Sequence, residues 1–222
     1  MPIVVDLWGP RACFTPPYAK VERLSTAVPT PSAMRGILAS IYNKPSEFYW
    51  TVSQIEVMNP IKYQSCKRNE VNARLARNMP ISIEASRTQR AMTMLMDVRY
   101  RVTAIMHPKQ PGDDFEAAIR AQALRRIRNG QCFLQPYFGI RECECYFALS
   151  DMKGDPIPVT QDYNLMTYDT CIPGDMSRDG NIHLSLYHCT MVNGVIRVPD
   201  YDSSAVLKLP SPDLIVGGAP NG

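Results

Sequence analysis

Three histidines, two tryptophans and seven cysteines among 222 residues leave little material for metal or redox chemistry. The cysteines are odd in number and show no CxxC pair and no Cys/His ladder at zinc spacing. Only Cys143 and Cys145 stand close together, as CEC. With no signal-peptide pattern at the start, the expected setting is a reduced cytoplasm with the thiols as small buried hydrophobes. The chain has no GxxxxGK[ST], no HExxH and no carboxylate cluster at ligand spacing in its basic part. Phosphate-loop hydrolases and zinc proteases are thereby excluded, and neither metal nor cofactor is expected. No apolar run reaches the roughly 18 residues of a spanning helix, so no membrane partner is expected. Internal repeats and low-complexity tracts are also missing, which rules out solenoids.

What is present is a globular composition, 45% hydrophobic, in a chain long enough for one sizeable core with a smaller appendage. A net charge of +3 conceals a division. Residues 1–150 hold 20 Lys and Arg against 12 Asp and Glu, whereas residues 151–222 hold 4 against 9. A basic front and an acidic tail point to a polyanion partner for the front part alone. Arginine outnumbers lysine there, which favours bidentate phosphate contacts and stacking on bases.

The richest segment is RRIRNGQCFLQPYFGIRE, residues 125–142. Arg125, Arg126 and Arg128 can neutralise phosphates, Gly130 and Gly139 allow close backbone approach, and Phe133, Tyr137 and Phe138 offer rings for unpaired bases. The same letters also read as a basic helix end, a Gly C-cap at Gly130 and a strand with core aromatics.

Along the chain, PIVVDLWG alternates as a half-buried strand. A helix begins at Thr30 or Ser32 with Pro31 in its first turn, presents Met34, Ile37, Leu38 and Ile41 on one face, and stops before Pro45. FYWTVSQIEVMNPIKY is a long strand that Asn59-Pro60 bends or breaks. Residues 63–87 are polar and basic, the pattern of a long loop or exposed hairpin. MTMLMDVRYRVTAIM is a strand with Asp97, Arg99, Arg101 and Thr103 on one side. An amphipathic helix covers 115–129, and 131–149 returns as strand. The sequence therefore predicts an α+β fold: a ferredoxin-like, RRM-like β-α-β-β-α-β domain over residues 1–149 with an inserted hairpin near 63–87. Residues 150–222, with strands NLMTYDT, IHLSLYHCTM and VIRVP and an Asn-Gly hairpin at 191–195, form a small β-rich C-terminal domain ending in a frayed GGAPNG.

Six stretches carry a family likeness: LWGPRACFTPP (7–17), KVERLSTAVPTPSAMRGILASIYNKP (20–45), IEVMNPIKY (55–63), KRNEVN (67–72), RTQRAMTMLMDVRYRV (87–102) and GQCFLQPYFGIREC (130–143). In this order the chain resembles the CRISPR-associated protein five family, in particular its type I-C, or d, branch. The resemblance implies a ferredoxin-like domain with a protruding hairpin and a smaller C-terminal β domain. It implies as partners the crRNA 5′ handle and CRISPR repeat RNA, the Cas seven backbone and the large subunit of Cascade, and target DNA only through the complex. It also implies endoribonuclease cutting of the repeat transcript without metal, by 2′-hydroxyl attack that leaves a 2′,3′-cyclic phosphate. The alternative within the same family is a non-cutting subunit that caps the 5′ end.

The family's catalytic Tyr matches Tyr42 in SIYNKP, whereas Ala118 and Ile119 stand at the positions of its Lys-His pair. His107 and Lys109 in MHPKQPG are the candidate replacements, and Arg120 the candidate cation. For RNA binding the matched motifs supply Lys67, Arg68 and Asn69 on the hairpin, Arg87, Gln89 and Arg90 after it, and Arg35 beside Gly36 on the first helix. Arg125, Arg126, Arg128, Gln131, Phe133 and Tyr137 come from the arginine and aromatic segment. His183 and His188, in the acidic tail, are read as structural.

Overall fold

The computed structural model describes residues 1–16, 19, 22–71, 83–175 and 183–209, and these form an α+β protein dominated by antiparallel sheet. β1 (Ile3–Ala12) is an interior strand one place from the edge of the sheet, with Val5 and Leu7 fully buried. β2 (Arg23–Leu24) is a two-residue strand. α1 (Pro31–Ile41) starts as its sequence dictates: Thr30 Oγ1 accepts from the Ala33 amide, Pro31 opens the first turn, and Met34, Ile37, Leu38 and Ile41 are buried. Asn59-Pro60 does break the long strand, into β3 (Phe48–Val57) and β4 (Tyr63–Val71).

A four-residue α2 (Ile83–Ser86) leads into β5 (Arg87–Pro108), a 22-residue strand. Its first half pairs with β4 from Val71↔Arg87 to Tyr63↔Leu95. The polar excursion is therefore a long antiparallel hairpin at its stem, and residues 72–82 lie outside the described part. The second half of β5 lies between β1 and β3, antiparallel to both. α3 (Asp113–Arg128) follows, with acidic residues in its first turn, arginines in its last, and Gly130 at φ +63 just beyond its end.

The expectation of strand across 131–149 is corrected. Only β6 (Tyr146–Leu149) is strand, pairing with β1. Residues 131–145 instead form a compact loop that turns on Gly139 at φ +83, where an added Cβ would come within 1.9 Å of the Cys13 carbonyl oxygen. Phe138 anchors this loop in the core, edge-on to Phe14 and Tyr100.

β7 (Gln161–Asp169), β8 (Ser185–Val192), β9 (Val195–Arg197) and β10 (Val206–Lys208) continue the same sheet through the β3–β9 pairing. Asn193 and Gly194, both at positive φ, make the two-residue turn between β8 and β9. The GGAPNG terminus lies outside the described residues. α1 packs on β3 and β7, and α3 on β5 and β6, so both longer helices cover the face that carries Val5, Leu7 and Trp50.

Candidate nucleic-acid interface

Tyr42 caps the C-terminal end of α1, where its amide donates to the Leu38 carbonyl and its own carbonyl accepts from Trp50 Nε1 at 2.9 Å. Its ring packs on Phe48 with centroids 5.0 Å apart, and the Arg126 guanidinium lies over it at 5.3 Å. Burial pushes the phenol pKa up, an effect that Lys44 and Arg126 oppose. Lys44 is itself tied to Glu47 at 2.8 Å. Arg126 Nε is buried with no hydrogen-bond partner among the described residues, so this guanidinium retains donor capacity.

The segment after α3 completes this corner. The Phe133 and Leu134 amides donate to the Ser40 carbonyl, at 2.8 and 2.9 Å, and so satisfy the orphan end of α1. The two side chains are left 68% and 61% exposed. Gln131, Arg125 and Arg128 are exposed around them, Arg125 bonded to Gln122. Tyr137 is partly exposed at the strand-like bridge to Glu144. Phe138, read from sequence as a ring for bases, is core instead, and Gly139 brings backbone against Cys13 rather than against a ligand.

The candidate replacements do not join Tyr42. Successive strand residues point to opposite faces, and Phe48 and Trp50 meet Tyr42. Tyr49 and Thr51, pointing the other way, meet His107: Nε2 lies 2.7 Å from Thr51 Oγ1, and the ring stacks on Tyr49 at 4.8 Å. His107 thus sits across the sheet from Tyr42, which corrects the expectation that it could take over the missing imidazole. Lys109 Nζ donates to the Gly174 carbonyl, and Arg120 Nε reaches the Met1 carbonyl at 3.4 Å. Ile119 is buried in the core and Ala118 faces outward, so the Lys-His positions are chemically silent.

Burial holds the His107 pKa below its ordinary value against the pull of Asp200. A depressed histidine binds its proton more readily in the unfolded chain, so it costs stability as pH falls below about 6.5. His107→Gln is expected to flatten that acid-side loss in thermal melts at pH 7.5 and 5.5, and an unchanged pH profile would contradict it.

The hairpin divides the matched residues between its two faces. Lys67, Asn69, Arg87 and Gln89 are exposed and lie opposite one another, with Asn69↔Gln89 and Lys67↔Ala91 in register. Arg68 and Arg90 turn to the other face, where Arg68 bonds Glu142 at 3.0 Å and Arg90 meets Glu70 at 3.5 Å. Arg35 is held bidentately by buried Asp169, at 2.8 and 2.9 Å, so it ties α1 to β7. His188 pairs with Asp162 across β7 and β8. Sequence reasoning missed Asp169 and Arg23, which are revealed only by the ion pair between β7 and α1 and by the pairing of β2 with β5. Among the described residues no group of three His, Cys, Asp or Glu side chains is placed to hold a metal ion, and no helix is long and apolar enough to cross a membrane.

Basic residues on the hairpin face at one end of β5, and a Tyr-Arg pair near its other end, are groups chemically suited to a polyanion. The family model described as CRISPR-associated protein (Cas_Cas5), of the Cas5d type, matches residues 3–199, and the chain belongs to this Cas5 family. It is 36% identical over 229 residues to a CRISPR pre-crRNA endoribonuclease Cas5d of Mannheimia succiniciproducens, covering 93% of this chain and 98% of that one. It is 37% identical over 174 residues to the CRISPR pre-crRNA endoribonuclease Cas5d of Thermus thermophilus, covering 78% and 75%. The fold is similar to a solved CRISPR-associated protein at a TM-score of 0.66 and 23% identity, over 93% of this chain and 96% of that one.

Proposed function

We propose that this chain is a type I-C pre-crRNA endoribonuclease that stays on the 5′ handle of its product as a Cascade subunit. The observation that carries the reading is the Tyr42–Arg126 pair at the meeting of α1 and α3, in a chain similar over nearly its whole length to proteins bearing that activity in their names. We read residues 1–149, with strand order β3-β5-β1-β6, as a ferredoxin-like core into which the β4–β5 hairpin is inserted. Residues 150–222 are then a small β-rich C-terminal unit. The Cas seven backbone and the large subunit are the proposed protein neighbours.

In the proposed reaction the 2′-hydroxyl gives its proton to solvent water as its oxygen bonds to the adjacent phosphorus, and the bond to the 5′ oxygen breaks. The first product ends in a 2′,3′-cyclic phosphate, and the departing oxygen takes up a proton to become the 5′-hydroxyl. Tyr42, kept protonated by burial, suits the donor role toward that oxygen or a phosphate oxygen. Arg126, with an unsatisfied Nε above the ring, suits the charge that grows on phosphate. The buried Ile119 favours a second reading, a guide-capping subunit that binds without cutting.

The test is cleavage of an end-labelled cognate repeat hairpin by the purified protein in EDTA. One cut with a cyclic-phosphate end supports the first reading. Tight binding without a cut leaves the second, and absence of binding overturns both. On the exposed hairpin face, Lys67→Ala combined with Arg87→Ala is expected to weaken RNA binding and to reduce the slope of log affinity against log salt by about 1.4, about 0.7 for each lost phosphate contact to single-stranded RNA. An unchanged slope would remove that face from the interface.

A further inference from the structure

Three arginines from three adjacent strands share the inner face of the hairpin stem: Arg23 on β2, Arg68 on β4 and Arg90 on β5. Arg23 stands opposite Met92, Cys66 stands opposite the same Met92, and Arg68 rests a guanidinium nitrogen 3.6 Å from its sulfur. Among the described residues, Glu70 and Glu142 are seen to pair with these three cations. Glu70 lies within the sheet, 3.5 Å from both Arg23 and Arg90. Glu142 comes from the loop after α3, and one of its oxygens, Oε1, receives both Arg68 at 3.0 Å and Arg23 at 3.6 Å.

Glu142 differs from Glu70 in the way that matters for exchange. Its side chain is 54% exposed, twice the 26% of Glu70, and both arginines that hold it are about one-third exposed. Ion pairs at such exposure contribute little, and a phosphodiester offers two anionic oxygens in the geometry that two guanidinia prefer. The loop that carries Glu142 does not depend on the pair for its place. Phe138 is buried in the core, its carbonyl accepts from the Cys13 amide at 3.0 Å, and its amide donates to the Cys143 carbonyl at 2.7 Å.

We infer that Arg23 and Arg68 form a phosphodiester site at the base of the hairpin, and that Glu142 is its exchangeable counter-ion, occupying in the free protein the place an RNA phosphate takes in the complex. The inference rests on the RNA-binding reading and adds to it a residue, Arg23, and a mode of entry. RNA must displace a carboxylate that would otherwise hold both guanidinia, so Glu142 lowers affinity for any weak anion and spares the site for a strand that brings several phosphates. Glu70 stays in place and keeps Arg23 aimed.

The experiment measures binding of the end-labelled repeat hairpin to the full chain and to Glu142→Gln, Arg23→Gln, Arg68→Gln and Glu142→Gln/Arg68→Gln, at several salt concentrations. Glu142→Gln is nearly isosteric on an anchored loop, and melting of each variant confirms folding. The expected result is binding about five-fold tighter for Glu142→Gln, the value of one exposed ion pair, weaker binding for either arginine variant, and loss of the Glu142→Gln gain in the double variant. Wild-type binding with Glu142→Gln unchanged or weaker overturns the exchange while leaving the RNA-binding reading intact. Failure of both wild type and Glu142→Gln to bind overturns both.

Discussion

Arg101→Ala is expected to destabilise the protein by about 3–5 kcal/mol, the cost of breaking a buried ion pair from one side. For a chain of this length that corresponds to a fall in melting temperature on the order of 10 °C. Arg101 is 3% exposed and bonds Asp6 on β1 at 3.2 Å and Glu56 on β3 at 3.2 Å. Its remaining donors reach the carbonyls of Lys153 and Gly154, in the connection between β6 and β7. One side chain thus ties three strands and the start of the acidic tail together. Truncation leaves Asp6 with Arg99 at 3.1 Å and Glu56 with Gln54 at 2.8 Å, two buried carboxylates on single partners. Arg101→Met, which fills the volume but also removes the charge, is expected to recover only part of the loss. A melt within 2 °C of wild type for Arg101→Ala would show that water replaces the guanidinium, and the network would then hold nothing together.

The alternation of MTMLMDVRYRVTAIM places Arg99 and Arg101 on one side, and the structure agrees, because period-2 patterning is a local property. The carboxylates that meet them come from positions 6 and 56, and no local pattern can report that register. The same limit explains the segment 131–149. Its aromatics suit a strand, but Phe138 found a better place between Phe14 and Tyr100, and Gly139 allowed the turn that takes it there. Helix α1 was legible to its capping residue, since Thr30, Pro31 and the apolar spacing act within a few residues. At the candidate site Tyr42 was legible by resemblance and Arg126 by charge. Their contact depends on how α3 lies against the end of α1. His107 failed as a partner because one residue of strand parity puts it beneath the sheet, a consequence of the β3–β5 register that motif spacing does not contain.

Tyr42→Phe is expected to lower single-turnover cutting of the repeat hairpin by about 10²–10⁴-fold, the usual contribution of a positioned proton donor. The ring contacts to Phe48 and Arg126 survive the change and only the hydroxyl is removed, so melting temperature and RNA affinity are expected to hold. Because burial raises the phenol pKa, Tyr42 remains a donor through neutral and mildly alkaline pH, and the wild-type rate should not fall between pH 7 and 9 for want of its proton. Arg126→Gln removes the charge above the ring and is expected to cost about 10²–10³-fold, as loss of one preorganised oxyanion donor does. If the two groups act on the same phosphate as a unit, Tyr42→Phe/Arg126→Gln should be little worse than Tyr42→Phe alone. Independent, multiplying losses would mean that Arg126 only binds RNA while Tyr42 works with some other cation. Lys44, which Glu47 holds beside the phenol, is then the next residue to change. His107→Ala, across the sheet, is expected to cut at the wild-type rate. A loss there comparable to that of Tyr42→Phe would refute the placement of the reaction on the helix-covered face and return the search to the end of β5.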